Sequence, residues 1–386
     1  MLQALNKLLG RSTETRAGDP SWQALTGLDG PTGLLQTPHG AENLSAVLAS
    51  VNVISASIAS LPVYVQRRGA GRLENEPAHP LQRLIDLGPN GWQGWADFIE
   101  FMVSQTLLHG NSLAEIRTDG RGAVAELRPI PWQWVSVQLL PSGRLAFDVT
   151  EHESLYGGVG SQRRLLQGEV LHIADRSDHA LIGKSRLSRA REVVEAGHRV
   201  QQFSQSIYKN GVSPSGVLTA EGKLPDDQIR RLKEMFTQAF SGAGNAGSAM
   251  VLDQNIKWQQ LGISPEDAEL LASRRFSTEE IARLFNVPPP LIQDYSHNTF
   301  TNSEQAGRWF ATLTLQPWLT KLEQAFKRQV LSEAARATHQ LSFDMSAFLR
   351  GDPEQRWAAH KIAIEAGVLD SDEVREIEGY NPRGGQ

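Results

Sequence analysis

Residues 264–331 read SPEDAELLASRRFSTEEIARLFNVPPPLIQDYSHNTFTNSEQAGRWFATLTLQPWLTKLEQAFKRQVL, and the alternation of helix-forming and helix-breaking chemistry in this stretch decides the fold. Ser264, Pro265 and Asp267 supply an N-cap, a proline at the first helical position and a first-turn acid, so a helix is predicted to start there. Leu270, Leu271, Phe276, Ile281, Leu284 and Phe285 continue it at helical spacing. The helix is predicted to stop where Asn286-Val287 meets Pro288-Pro289-Pro290, because proline lacks an amide donor and disfavours helix in the residue before it. Residues 291–301 are polar, and Asn302 with Gln305 offers a capping box for a second helix running to Leu331, which Pro317 is expected to kink.

Upstream, a long helix is predicted over Gly183 to Asn210, ended by Asn210-Gly211. It is polar nearly all round, with only Val193, Val194, Val200, Phe203 and Ile207 to bury, the pattern of a helix that bridges solvent or packs against copies of itself. Residues 212–262 read as a compact insert: a strand over Ser215 to Ala220, a helix over Pro225 to Phe240, a glycine-rich loop, and a strand over Ala249 to Trp258. Nearer the N-terminus, apolar residues recur at three and four from Leu44 to Leu61, predicting a helix that Pro62 ends before a strand at Val63 to Val65. Residues 69–92 read as loop and short helix around Pro77, Pro80 and Pro89-Asn90-Gly91, before a second helix near Trp95 to Leu108, closed by Gly110-Asn111. Strands are predicted at Leu113 to Ile116, Ala125 to Leu127, Trp134 to Val137, Arg144 to Val149 and Glu169 to Ile173. A strand at His339 to Asp344 and short helices at Pro353 to Glu365 and Ser371 to Glu378 complete an α+β chain. Residues 1–40, rich in Gly, Thr, Pro and Ser from residue 11 on, read as a mobile, untargeted arm.

The composition narrows function. The chain has 386 residues, enough for two or three domains, and no cysteine, which excludes disulfides, thiolate metal sites and cysteine nucleophiles. Its net charge is -5, so any DNA partner is expected to be held loosely or by geometry rather than by a basic surplus. No apolar run is long enough to predict a membrane span. Residues 242–247 spell GxGxxG, yet they follow a helix and precede a strand, the reverse of a dinucleotide site. Gly183-Lys184-Ser185 resembles the end of a P-loop, but Asp178 stands where the first glycine is required, leaving a helix-start turn. His172, Asp175, Asp178 and His179 carry metal-competent side chains without a recognised ligand spacing, and His297 has no sequence-local partner for acid–base work. No catalytic, cofactor-binding or metal-binding residue is assigned, and none of this supports an enzyme. A nucleic-acid-processing enzyme is the rival reading from another class, resting on the GKS fragment and the His/Asp segment alone.

The order and spacing of several stretches resemble the HK97-type portal proteins of tailed bacteriophages: AVLASVNVISASIASLPVYV (46–65), HPLQRLIDLGPN (79–90), LLHGNSLAEI (107–116), EVLHI (169–173), IGKSRL (182–187), YKNGVSPSGVL (208–218), EIARLFNVPPPLI (280–292) and GVLDSDEVREIEGYNP (367–382). The resemblance implies an α+β portal fold with a wing, a helical stem, an α/β clip, a tunnel helix and a short C-terminal crown. By position, residues 41–185 would be the wing, 186–210 the first stem helix, 211–262 the clip and 263–287 the second stem helix. Residues 288–302 would be the tunnel loop, 303–345 the tunnel helix and the return to the wing, and 346–386 the crown. Function would then be that of a non-enzymatic ring, typically of twelve copies, at one capsid vertex, through which double-stranded DNA is packaged and later leaves. The implied partners are further copies of the chain, the DNA, the large terminase subunit that hydrolyses ATP, the major capsid protein or a scaffold, and a head-to-tail adaptor. The implied location is the virion, with host cytoplasm during assembly. The same features suit the portal of a gene transfer agent or a defective prophage.

Carried over residue by residue, Gln293, His297, Asn298, Thr299 and Asn302 would line the DNA channel. From Gln293 on there is no Lys or Arg until Arg308, so contact is expected through hydrogen bonds or steric fit. In the clip, Asp226, Asp227, Arg230, Arg231 and Lys233 are expected to meet terminase or adaptor.

Overall fold

The computed structural model describes residues 38–69, 73–151, 162–210, 216–220, 256–260, 277–295, 300–346 and 353–378, together with Pro225, Asp227, Arg230, Arg231, Tyr380 and Asn381. Helices α1 (Pro38–Glu42) and α2 (Ser45–Ala59) lead into β1 (Val63–Arg68) and β2 (Leu73–Asn75). Next come α3 (Pro80–Leu87), α4 (Trp95–His109) and six strands: β3 (Asn111–Thr118), β4 (Val124–Ile130), β5 (Val135–Leu139), β6 (Leu145–Thr150), β7 (Gln162–Leu166) and β8 (Val170–Ala174). Helices α5 (Arg186–Arg189) and α6 (Arg191–Asn210) are followed by β9 (Gly216–Ala220) and β10 (Ile256–Gln260), which pair antiparallel. The described part of α7 covers 277–285. Then follow a 3-10 turn (Pro289–Ile292), α8 (Phe300–Trp309), a π-helical segment (Phe310–Leu315), α9 (Gln316–Gln329), α10 (Glu333–Arg336), β11 (His339–Phe343), α11 (Pro353–Glu365) and α12 (Ser371–Ile377).

Three antiparallel sheets carry the body, ordered β11-β1-β2, β4-β3-β8 and β5-β6-β7. The larger core lies where α2 packs along α4 and α9 lies across β8 and β11. Ile54, Ile58, Phe98, Met102, Leu322 and Phe326 are each fully buried there. At about 1.5–3 kcal/mol per large side chain removed from water, α9 fastens two sheets to the α2–α4 layer. A second core, with Leu113, Val137, Phe147 and Val170, joins the β4-β3-β8 and β5-β6-β7 sheets.

Several expectations are corrected. The long helix does not run unbroken from Gly183: it starts at Arg186 and breaks at Ala190, whose φ of -110° and ψ of 38° are not helical. The start is set by Ser185, whose Oγ accepts from Leu187 N–H at 3.1 Å and donates to Leu108 O at 2.7 Å, so the serine after Gly183-Lys184 is a helix cap. Gly183 is needed for a different reason than phosphate binding. A Cβ there would lie 2.1 Å from the Gly110 carbonyl oxygen and 2.7 Å from the Asp175 nitrogen. The Asn111 side chain locks this close approach by donating to Gly183 O and accepting from Gly183 N–H, each at 2.8 Å.

Strand β7 was not expected. Its residues QRRLL bury only Leu165 deeply, while Arg164 pairs with Asp148 at 2.7 Å and Arg163 with Glu115 at 2.5 Å, so cross-strand ion pairs hold an edge that has no apolar alternation. The strand expected to end at Trp258 is described only over Ile256–Gln260. The GxGxxG segment at 242–247 and residues 1–37 lie outside the described residues, and no described helix is long and apolar enough to cross a membrane.

Candidate functional site

The structure fixes both flanks of the 293–302 loop. Helix α7 does not end because of the prolines alone. Asn286 takes φ +58°, and the bonds Asn286 N–H to Arg283 O (3.0 Å) and Val287 N–H to Ala282 O (2.9 Å) form a Schellman motif, with Val287 turned into the core. The prolines then form the 3-10 turn, which Gln293 closes at φ +65° by donating its N–H to Pro290 O at 3.1 Å.

On the far side, helix α8 begins at Phe300, so Asn302 lies within it and the expected capping box is not the start. The expected kink at Pro317 takes the form of the π segment just before it, where Gln316 N–H bonds Ala311 O, five residues back. Pro317 has no N–H to offer the Leu313 carbonyl four residues earlier. Asn286 supplies the donor instead, Nδ2 to Leu313 O at 2.9 Å, and the Thr314 hydroxyl donates to the Asn286 carbonyl. One asparagine thus caps the helix before the loop and repairs the helix after it.

Behind this junction lies a charged cluster. Asp175, 8% exposed, accepts from Arg186 Nε at 2.8 Å and from Lys321 Nζ at 3.2 Å. Arg186 also donates to the Phe285 carbonyl at 3.1 Å, in the last turn of α7. Trp318 carries both cations against its ring, with centroid distances of 5.4 Å for Arg186 and 5.1 Å for Lys321. Burial alone would raise the Asp175 carboxyl, but the Arg186 guanidinium and the Lys321 ammonium hold it below the usual carboxylate range. The cavity here, lined among others by Asn286, Thr314 and Trp318, is about 70 Å³, room for water but far below the ~300 Å³ of an organic cofactor pocket. The cluster's visible contacts hold the loop's frame.

His172 is packed at the edge of the second core. Its Nε2 donates to Asn111 Oδ1 at 3.0 Å, because that oxygen already accepts from Gly183, and the ring stacks on Trp132 with centroids 5.7 Å apart. Burial, then the nearby Arg328 charge, pulls its pKa down from 6.5 to about 4. Since the unfolded chain binds the proton more readily than the folded one between those values, the unfolding free energy falls as pH drops from 6.5 toward about 4. The loss reaches up to about 3 kcal/mol. Chemical denaturation at pH 7 and 4.5 should show a shallower fall for His172→Gln, which keeps a donor for Asn111; equal falls would refute the assignment. Asp178 pairs instead with Arg189 at 2.7 Å, and among the described residues no three His, Cys, Asp or Glu side chains group to hold a metal ion.

Of the expected channel residues, Gln293 is exposed at the loop's root, and the Asn302 backbone lies in α8. His297, Asn298 and Thr299 lie outside the described residues. In the insert, Asp227, Arg230 and Arg231 are helical and exposed, with spacings of three and four that share one helix face, while Asp226 and Lys233 lie outside the described residues. Sequence reading placed Asn286 only at a helix end and Asp175 only among metal-competent side chains, and passed over Thr314 and the cluster that Asp175 forms with Arg186 and Lys321. The one available signal was an asparagine directly after the last apolar helical residue.

An α+β body with a small antiparallel insert between two helices, followed by a loop on a braced frame, is the arrangement of a portal subunit. The profile of the phage portal protein family matches residues 45–379, and the chain belongs to that family, of HK97 type, whose members are structural proteins. It is 30% identical over 382 residues to the probable portal protein of Streptomyces phage phiC31, covering 96% of this chain and 82% of that one. To the portal protein of Enterobacteria phage HK97 it is 27% identical over 344 residues, 88% of this chain and 79% of that one. Among solved structures, a chain in the neck of an empty gene transfer agent particle, computed with C6 symmetry, superposes with a TM-score of 0.63 at 25% identity, covering 92% of this chain and 95% of that one.

Proposed function

We propose that about twelve copies of this chain close into a ring at one capsid vertex and form the channel through which double-stranded DNA enters and leaves. The observation that carries the reading is the family match from residue 45 to 379, which spans nearly the whole chain. Exposed side chains support it: Tyr295, Trp309 and Leu313, around the loop, are 58–63% exposed, surface that a neighbouring copy would cover. In this reading the body forms the wing, α6 and α7 the stem, the β9–β10 insert the clip, and α11–α12 the crown.

The loop from Gln293 to Asn302 faces the duplex. It has no cation before Arg308, which suits sliding over gripping, because firmly neutralised phosphates would bind rather than pass. Asp226, Asp227, Arg230, Arg231 and Lys233 on the clip meet the large terminase subunit during packaging and a head-to-tail adaptor afterwards, with capsid protein or scaffold around the wing. The ring itself needs no catalytic residue, and ATP hydrolysis belongs to the terminase. A gene transfer agent is a second setting for the same ring, favoured by the likeness to the neck chain.

Light scattering and class-averaged electron microscopy of the full-length protein test this. A ring near twelve-fold with an axial channel, the 293–302 loop at the lumen and the clip at an exposed rim, is the expected result. A folded monomer that hydrolyses ATP or nucleic acid would overturn it, and a ring with the loop away from the lumen would overturn the channel assignment.

A further inference from the structure

Among their described residues, the two C-terminal helices leave more large apolar side chains exposed than buried. Val374, 3% exposed, packs in their core, and His360 Nε2 meets Glu378 Oε1 at 3.0 Å with both side chains largely covered. Against this small interior stand Trp357, Ile362, Ile364, Val368 and Tyr380, each 41–73% exposed.

Their placement is informative. Successive residues of a helix turn by about 100°, so Ile362 and Ile364 leave α11 in nearly opposite directions, and Trp357, seven residues before Ile364, lies on the Ile364 side. The Lys361–Glu365 pair at 3.8 Å stands between the two apolar sides, and His360 faces Glu378 just past α12. The Trp357 ring also meets the His360 ring, 5.9 Å between centroids, so the Trp357–Ile364 side borders the contact with Glu378 while the Ile362 side points away from it. One flat partner covers only one of them. In a ring of identical copies the contacts are head-to-tail, so each subunit shows one surface to the copy before it and a different one to the copy after it. Two unlike apolar faces on one helix fit that arrangement, and a chain of similar fold occurs in a neck with rotational symmetry.

We infer that the α11–α12 hairpin is an assembly clamp, in which the Ile362 face of one copy packs on the Trp357–Ile364 face of the next. The inference rests on the ring reading above and adds which surfaces meet. The natural absence of cysteine allows a clean test. Full-length Ile362→Cys/Ile364→Cys protein, assembled and treated with a short bismaleimide, should give a ladder of covalent dimers, trimers and higher species on a denaturing gel, while each single-cysteine parent stays monomeric. A second variant, Ile362→Asp, should raise the concentration for half-assembly at least tenfold. Rings of normal mass that yield only monomer bands, or that assemble unchanged with Ile362→Asp, overturn the clamp and leave the ring standing. A wild-type protein that never forms rings overturns both.

Discussion

Asp175→Ala is expected to lower the unfolding free energy of the subunit by about 3 kcal/mol, as measured by denaturant titration at pH 7. The carboxylate is the shared acceptor for Arg186 and Lys321, whose side chains are 22% and 40% exposed, and removing it leaves two cations crowded against the Trp318 ring without their counter-ion. The figure sits at the low end of the ~3–5 kcal/mol for broken buried pairs because Lys321 can turn to water. The change also reaches the loop: without Asp175, Arg186 is no longer aimed at the Phe285 carbonyl, so amide exchange at Asn286 and Val287 should speed up. Because the folded-state pKa of Asp175 is depressed, its contribution is present above the model-peptide value of 3.8 and disappears as pH falls through the lower folded value. An unchanged midpoint with unchanged exchange at 286–287 would refute the bracing role.

Gly183→Ala is expected to cost about 3 kcal/mol or more, since a Cβ meets backbone on both sides and no rotamer can relieve it. The contact joins the turn before α5 to the end of α4, and Asp175 N–H bonds Gly110 O at 2.8 Å in the same place, so the clash also loosens the strand that presents Asp175. Gly168→Ala is the control, because nothing lies within 4 Å of the added carbon. A lower yield and midpoint for the first variant but not the second is the expected outcome. Equal midpoints would mean that the Gly183 backbone moves freely, contrary to the Asn111 clasp.

The elements legible in the sequence were those whose signals are local. Helices α2 and α4 show apolar residues at three and four with Pro62 and Gly110 after them, and α11 spans the expected Pro353 to Glu365. What stayed hidden depends on residues far apart in the chain. The helix start at Arg186 follows from a serine that reaches Leu108, 77 residues away, and Asp175 finds Lys321 across 146 residues. The Asn286 cap was masked by the three prolines behind it, which explain a helix end equally well from sequence. Strand β7 was missed because ion pairs replace the apolar alternation that marks a strand. Of the channel and clip residues, family likeness supplied the positions; composition and periodicity had no means to.

Strand β8 lies at the border of its sheet, and at His172 its outward backbone is taken up by a side chain: Gln329 accepts from His172 N–H at 2.7 Å and donates to His172 O at 3.0 Å. An amide group that imitates one residue of a neighbouring strand closes the border to any real strand. Strand addition between identical copies at such a border would start fibres. The glutamine therefore blocks strand addition at His172.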